Sequence, residues 1–339
     1  MRVWFNRTFS SIHAALRLIR ENDPDGRYEL FASHPNPHAL VRLNAHQFFE
    51  EPGDLKGDSY LEWCARFCRQ HRIDIFVPGK EATSLAAEHQ RFAQAGTALL
   101  SCADQETLRL IHDKHRFSAA VECQDAPPPV GAVCSDLASF DAAYEKLASE
   151  HGALCIKPAV SVYGIGFRKI RADRSAFSIF AAGDTYQIDL VSLRRMLGEQ
   201  GTFAPLLVME YLDGDEFSVD CVADRGTLKC AVARRKSSRP GEGQIIDPRQ
   251  DIQRACRQII AQFGLNGFIN IQFREGRSGL RLLEVNPRMS GGIAMACLAG
   301  PNLPYLGLAG FDRGYDALTI PPIQAGLRVG EFNQAAVLQ

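Results

Sequence analysis

Glu284, Asn286 and Arg288 stand two residues apart in the stretch "LLEVNPRMSGG", so on a strand their side chains would share one face. In the preceding run "FINIQFREG", Ile269, Ile271 and Phe273 make an apolar face and leave Asn270 and Gln272 on the other. A three-residue loop over Arg277–Gly279, with Gly279 left-handed, would join the runs as a hairpin. That register sets Gln272 opposite Glu284 and Asn270 opposite Asn286. One face then gathers a carboxylate, three amides and a guanidinium. Oxygen ligands of this kind suit a hard divalent cation, and Mg²⁺ commonly joins a few protein oxygens to substrate phosphates. A solvated face of an antiparallel sheet would carry the same pattern. Gly291 and Gly292, which suit close approach of a ligand to backbone, favour the first reading.

The run "CIKPAVSVYGIGFRKI" offers a complementary half. It sets Lys157 on a strand and Ser161, Gly164 and Gly166 in the loop behind it. Amides in such a loop can form an anion-binding nest, with the lysine supplying charge. A Gly-rich hairpin between two strands would read alike. The cations of "ARRKSSRPGEG" (residues 233–243) would serve an anionic substrate or a solvated loop, and "HPNPH" reads as a turn held by prolines. Thr8, Ser10 and Ser11 could hold a small anion or simply cap a helix. Asp220 fits either the site or an exposed face.

The elements that must position these groups form two blocks. The first hundred residues alternate strand and helix: "RVWF", "SIHAALRLIREN", "YELFAS", "SYLEWCARFCRQHR", "IDIFVPG", "ATSLAAEHQRFAQAG" and "TALLS". That alternation predicts an open, mainly parallel α/β sheet. The turn after the first strand lacks GxGxxG, which argues against a dinucleotide site there. After the connector "QDAPPPVGAV" come "VGAVC", the helix "LASFDAAYEKLASEHG" and "ALCIKPAV". "DTYQIDLVSLRRMLGEQG" reads as helical, and strands then dominate, interrupted by the helix "DPRQDIQRACRQIIAQFG". The fold class expected is thus an α/β domain followed by a mixed α+β body.

The 339 residues are 46% hydrophobic and 23% charged, which suits a globular protein of two or three domains. A net charge of −1 gives no basic field for a nucleic-acid partner. No apolar run reaches membrane-spanning length, and an N-terminus that turns polar after "MRVWF" reads as neither signal peptide nor anchor. The ten cysteines show no CxxC pair and no ligand-spaced histidines, so no zinc site is expected. Free thiols on this scale suit a cytoplasmic location.

Taken in order, "DK" (113–114), "IKP" (156–158), "VMEYLDGDEFSVD" (208–220), "IQF" (271–273) and "EVNPRMSGG" (284–292) resemble the ATP-grasp superfamily. The similarity is to its carbamoyl-phosphate-synthase-like and biotin-carboxylase-like branch, and runs from about Asp113 to Gly310. The opening "WFNRTFSS" is also similar to ATP-grasp proteins of tellurium-resistance-type gene clusters. The resemblance implies an ATP-grasp fold behind a Rossmann-like pre-ATP-grasp domain. Its division would be 1–105, then 106–207 as the small lobe with linker helix and phosphate lid, then 208–339 as the large lobe with the metal site.

The resemblance also implies that adenine contacts Glu210, Tyr211 and Leu212 between the lobes, and that Glu216 holds the ribose. Lys114 and Lys157 would reach the phosphates under a Ser161–Gly166 lid. Glu284 would bridge two Mg²⁺ ions, for which Mn²⁺ could stand in, with Gln272 and Asn286 completing the protein ligands. Gln272 stands where many relatives have an acidic residue, which would loosen one metal. Arg288 would stabilise the transferred phosphoryl group. The implied activity is an ADP-forming ligase joining a small carboxylate to an amine or another nucleophile, with a homodimer compatible. The alternatives are a carbamoyl-phosphate-type kinase on a small carboxylate and a non-catalytic ATP-binding regulator.

Overall fold

The computed structural model describes residues 1–7, 12–160, 166–237, 239, 241–332 and 335–337. Its sixteen described strands form three sheets. The first holds β1 (Arg2–Phe5), β2 (Glu29–His34), β3 (Gln47–Glu50), β4 (Ile75–Val77) and β5 (Ala98–Leu99), in the order β3-β2-β1-β4-β5 and parallel throughout. The α/β expectation therefore holds, with two local differences. "HQFFE" supplies the edge strand β3, which the alternation did not reveal because its side chains are only half covered. "ATSLAAEHQRFAQ" is two short helices, Ala82–Ala87 and His89–Gln94, broken at Glu88. Trp4 anchors one side of the sheet, stacked on Phe67 at 4.3 Å and Phe76 at 4.1 Å between ring centroids.

The second sheet is built from β6 (Gly131–Cys134), β7 (Leu154–Pro158), β8 (Arg168–Arg171), β9 (Gln187–Asp189) and β10 (Leu206–Glu210), ordered β6-β10-β7-β8-β9. The segment read as helical from "DTYQIDL" onward starts with β9, and its helix runs only over Leu190–Gln200. Asp189 ends the strand and begins the helix by accepting the Ser192 N–H at 2.8 Å.

The third sheet is antiparallel: β11 (Glu216–Asp224), β12 (Thr227–Lys236), β13 (Gln244–Ile246), β14 (Gly267–Gly276), β15 (Gly279–Asn286) and β16 (Arg328–Val329), ordered β15-β14-β11-β12-β13-β16. Phe217, Val219, Ile269, Ile271, Phe273 and Val285 turn to one side. There they pack on the helix Gln250–Gln262 and on the helices Gln105–His112 and Lys114–Ala120. A further core joins this sheet to the first: Val3, Phe5, Leu16 and Ile75 pack with Val222, Val232, Phe268 and Met289. Arg27 and Tyr28 strap the same boundary through Asp312, at 2.5 and 2.9 Å.

Candidate functional site

The hairpin β14–β15 carries the polar face. Its register is as expected, Gln272 opposite Glu284 and Asn270 opposite Asn286, but the route differs. Gly276 pairs with Gly279, so the turn has two residues, Arg277 and Ser278, and not three. A bulge at Leu283 then restores the offset, since Phe273 pairs Leu282 and Gln272 pairs Glu284. The bulge has a chemical consequence. Without it Glu284 would follow Leu282 onto the apolar side; with it, Glu284 and Asn286 turn to the polar one.

On that face the groups form a connected set. Asn286 Nδ2 donates to Glu284 Oε1 at 3.1 Å, and Arg288 donates to Asn286 Oδ1 at 3.4 Å. Gln272 Nε2 donates to Asn270 Oδ1 at 3.4 Å, which leaves the Gln272 carbonyl oxygen for another partner. Lys114, the first residue of its helix, brings its ammonium to 3.5 Å from Glu284. Asp113 fixes that helix start by accepting the Arg116 N–H at 3.0 Å. Lys157 lies at the end of β7, near enough for Lys114 and Glu284 to act on its charge.

The electrostatics follow from burial and from these neighbours. Burial would raise the Glu284 carboxyl, but the Asn286 hydrogen bond and the Lys114 and Lys157 ammonium groups hold it below the usual carboxylate range. Burial lowers the Lys157 ammonium, and Lys114 lowers it further. Two cations pressed toward one carboxylate leave positive charge over for an anionic ligand. Among the described residues no group of three or more His, Cys, Asp or Glu gathers to hold a metal. The donor set here is one carboxylate with the carbonyl oxygens of Gln272 and Asn286. Such a set fits a hard cation that takes its remaining oxygens from phosphates.

Glu210, Tyr211, Leu212 and Glu216 are placed differently. The Glu210 carboxylate is buried, accepts the Val130 N–H at 2.9 Å and lies 3.3 Å from Arg281. It is thus engaged within the protein. Tyr211 donates its N–H to Ala153 at 2.8 Å, while its ring lies under Lys169 at 3.8 Å and Arg274 at 5.6 Å. Leu212 is buried. Glu216 pairs with Lys236, and with Arg274 at 3.6 Å. Gly166 has φ +82° and sits against Pro158, 2.7 Å from where a Cβ would stand, so a side chain there would strain the loop exit. Ser161 and Gly164 lie outside the described residues, as do Thr8, Ser10 and Ser11.

Beneath this face lies a network that sequence reasoning missed. Arg234 is almost wholly buried and donates to Asp220 at 2.8 Å, Ser290 at 3.1 Å and Gln244 at 2.5 Å. Asn270 joins it to the site by donating to Asp220 at 3.2 Å and Ser218 at 2.9 Å. The "ARRK" cation nearest the hairpin is therefore a buried partner of Asp220, and Asp220 is not exposed. Gly292 is needed for the same packing: a Cβ there would stand 2.6 Å from the Arg234 guanidinium. The available signal was parity, since Ser218 and Asp220 share the face of Gln272 and Asn270 across β11 and β14. Their partner on β12 requires the register.

A family of ATP-grasp proteins described as "ATP-grasp in the biosynthetic pathway with Ter operon" matches residues 202–335. The carbamoyl phosphate synthase large chain of Thermomicrobium roseum is 26% identical over 227 residues, covering 62% of this chain. The chain spans only 19% of that protein's length. Among solved structures, the N5-carboxyaminoimidazole synthetase of Staphylococcus aureus superposes with a TM-score of 0.65 at 12% identity, over 95% of this chain and 80% of that one. The biotin carboxylase domain of Hydrogenobacter thermophilus 2-oxoglutarate carboxylase, solved with MgADP and bicarbonate, gives 0.59 at 14% identity, over 97% and 72%. With three sheets in this arrangement and the motifs in their order, the chain has the ATP-grasp fold, and its residues 202–335 match an ATP-grasp family.

Proposed function

We propose that the protein is an ATP- and Mg²⁺-dependent ligase that activates a small carboxylate as an acyl phosphate and passes it to an amine, releasing ADP and phosphate. The observation that carries this reading is the convergence on Glu284 of Lys114, at 3.5 Å, and of Asn286, at 3.1 Å, with Lys157 and Arg288 beside them. Phosphoryl transfer needs chiefly positioning and neutralised charge, and this cluster offers both. Glu284, Gln272 and Asn286 would hold Mg²⁺, which when bound neutralises the phosphate oxygens. Lys114 and Lys157 would draw the triphosphate to the hairpin face, with Gly166 and the loop before it, Ser161 and Gly164 included, lying over the phosphates. Arg288, tethered through Asn286, would meet the charge that concentrates as the phosphoryl group moves.

At the hinge, the Glu210 carboxylate is engaged by Val130 and Arg281, so adenine contact would fall to backbone atoms of Glu210, Tyr211 and Leu212. Glu216 would accept the ribose hydroxyls beside its pairs with Lys236 and Arg274. In this reading residues 1–105 face the acceptor, 106–207 carry the lid and 208–339 the metal face. The linker helices of the second unit pack on the core of the third. ADP formation is tested by supplying ATP–Mg²⁺ with pairs of small carboxylates and amines and assaying the nucleotide product. Oxygen-18 in the carboxylate should appear in the released phosphate. AMP release, or label confined to the coupled product, would overturn the acyl-phosphate reading.

A further inference from the structure

A cavity of about 300 Å³ opens where the carboxyl ends of β1 and β4 face the end of β15. This is the point at which the strand order of the first sheet reverses, the usual ligand position in an open α/β sheet. Its walls are of two kinds. Phe5, Ile12, Leu100, Phe268 and Met289 are apolar, whereas Lys114, Glu284 and Arg288 present the charged face already described. A third feature is Glu81. It lines the same cavity, half-buried, and adopts φ +57° at the start of the helix Ala82–Ala87. The other described non-glycine residues at positive φ, Arg72 and Arg225, cap a helix and turn a hairpin. Glu81 is the N-cap of its helix through its carbonyl alone, without a side-chain cap, and backbone held at positive φ there is costly unless the surroundings fix it. Its carboxylate receives the Ser84 hydroxyl at 3.4 Å and forms no ion pair with a described residue.

Resting on the ligase reading, we propose that this cavity is the subsite for the carboxylate substrate and that the substrate is an amino acid with an aliphatic or aromatic side chain. Its carboxylate points to Lys114 and Arg288, its ammonium meets Glu81, and its side chain lies against Ile12, Leu100 and Phe268. A volume of about 300 Å³ is at the small end for ligand pockets and suits one amino acid better than a peptide. The apolar walls penalise a polar side chain that finds no partner, and Glu81 repels a second carboxylate.

The test is titration of the full chain with leucine, phenylalanine, glutamate and isocaproate (leucine without its amine), with and without ATP–Mg²⁺. ADP release is followed in parallel. Leucine or phenylalanine should bind and stimulate ADP release at concentrations at least tenfold below glutamate. Glu81→Gln should weaken leucine roughly tenfold or more, the scale of one lost charge-assisted hydrogen bond, without moving isocaproate. Thr83→Trp, which obstructs the cavity from a half-exposed position, should weaken both and serves if Glu81→Gln does not fold. Binding of ATP–Mg²⁺ with glutamate preferred, or with Glu81→Gln and Thr83→Trp both silent, overturns this inference alone. A preference for leucine over glutamate without any binding of ATP–Mg²⁺ overturns the ligase reading and leaves the cavity assignment standing.

Discussion

Glu284 concentrates the chemistry of the site in one side chain. It is held from three sides, by the Asn286 amide and the Lys114 and Lys157 ammonium groups, and burial works against its charge while they sustain it. Glu284→Gln keeps the shape of the side chain, removes its charge and turns one of its two acceptor oxygens into a donor. Turnover should fall on the order of a hundredfold or more, the scale seen when one electrostatic contact to a developing charge is removed. Nucleotide affinity should change far less, because the adenine contacts proposed for Glu210–Leu212 lie on another strand and beyond it. ADP release at saturating ATP–Mg²⁺, set beside calorimetric titration of ATP, separates the two effects. Wild-type turnover in the variant would remove Glu284 from the metal face. Much of this was legible in the sequence, because a carboxylate, amides and a guanidinium at spacing two declare a strand face. What spacing could not give is the state of each group. The resemblance gives Glu210 to adenine and Glu216 to ribose, but no spacing shows that one is buried against Arg281 while the other pairs with Lys236 and Arg274.

The hairpin shows how an element can be read correctly for an incomplete reason. A three-residue loop and a two-residue turn with a bulge give the same pairing at Gln272 and Glu284. The local signal was the doubled leucine, Leu282–Leu283, where the alternation of apolar residues changes phase. Beneath the hairpin, β12 supplies Arg234 to Asp220 on β11, both almost without solvent contact. Their encounter depends on register between strands, which is why composition suggested a substrate loop instead. Removing one partner leaves an uncompensated buried charge. Asp220→Ala should therefore cost about 3–5 kcal/mol, while Asp220→Val combined with Arg234→Leu should recover a large part of the loss. Urea unfolding of the single and double variants measures this. A single variant within about 1 kcal/mol of wild type, the error of such measurements, would show that the pair is not a structural tie.

Over the whole molecule, titratable groups hidden by packing set how stability responds to pH. Nine of the ten cysteines are buried and the tenth, Cys297, is half-buried. Burial pushes the Cys134 thiol up to about 11 and those of Cys68, Cys102, Cys155, Cys230 and Cys297 to about 12. The imidazoles of half-buried His71 and of His46 and His112, which are exposed as whole residues, are lowered, first by the partial burial of the ring and then by Arg2, Arg20 and Arg288 respectively. The signs are opposite in chemistry and alike in outcome. Above the ordinary thiol value of 9.0 the unfolded chain loses protons that the folded one keeps, so stability falls as pH rises. Below the ordinary imidazole value of 6.5 the unfolded chain takes up protons that the folded one refuses, so stability falls as pH drops. The urea midpoint should accordingly be greatest between those two values and decline on both sides. The thiols give a second measure through the same packing: disulfide exchange with an aromatic reagent should be slow in the native protein and reach all ten cysteines in urea. Rapid labelling of several thiols in the native state, or a midpoint still rising above pH 9.0, would show that these cores open far more readily than their packing implies.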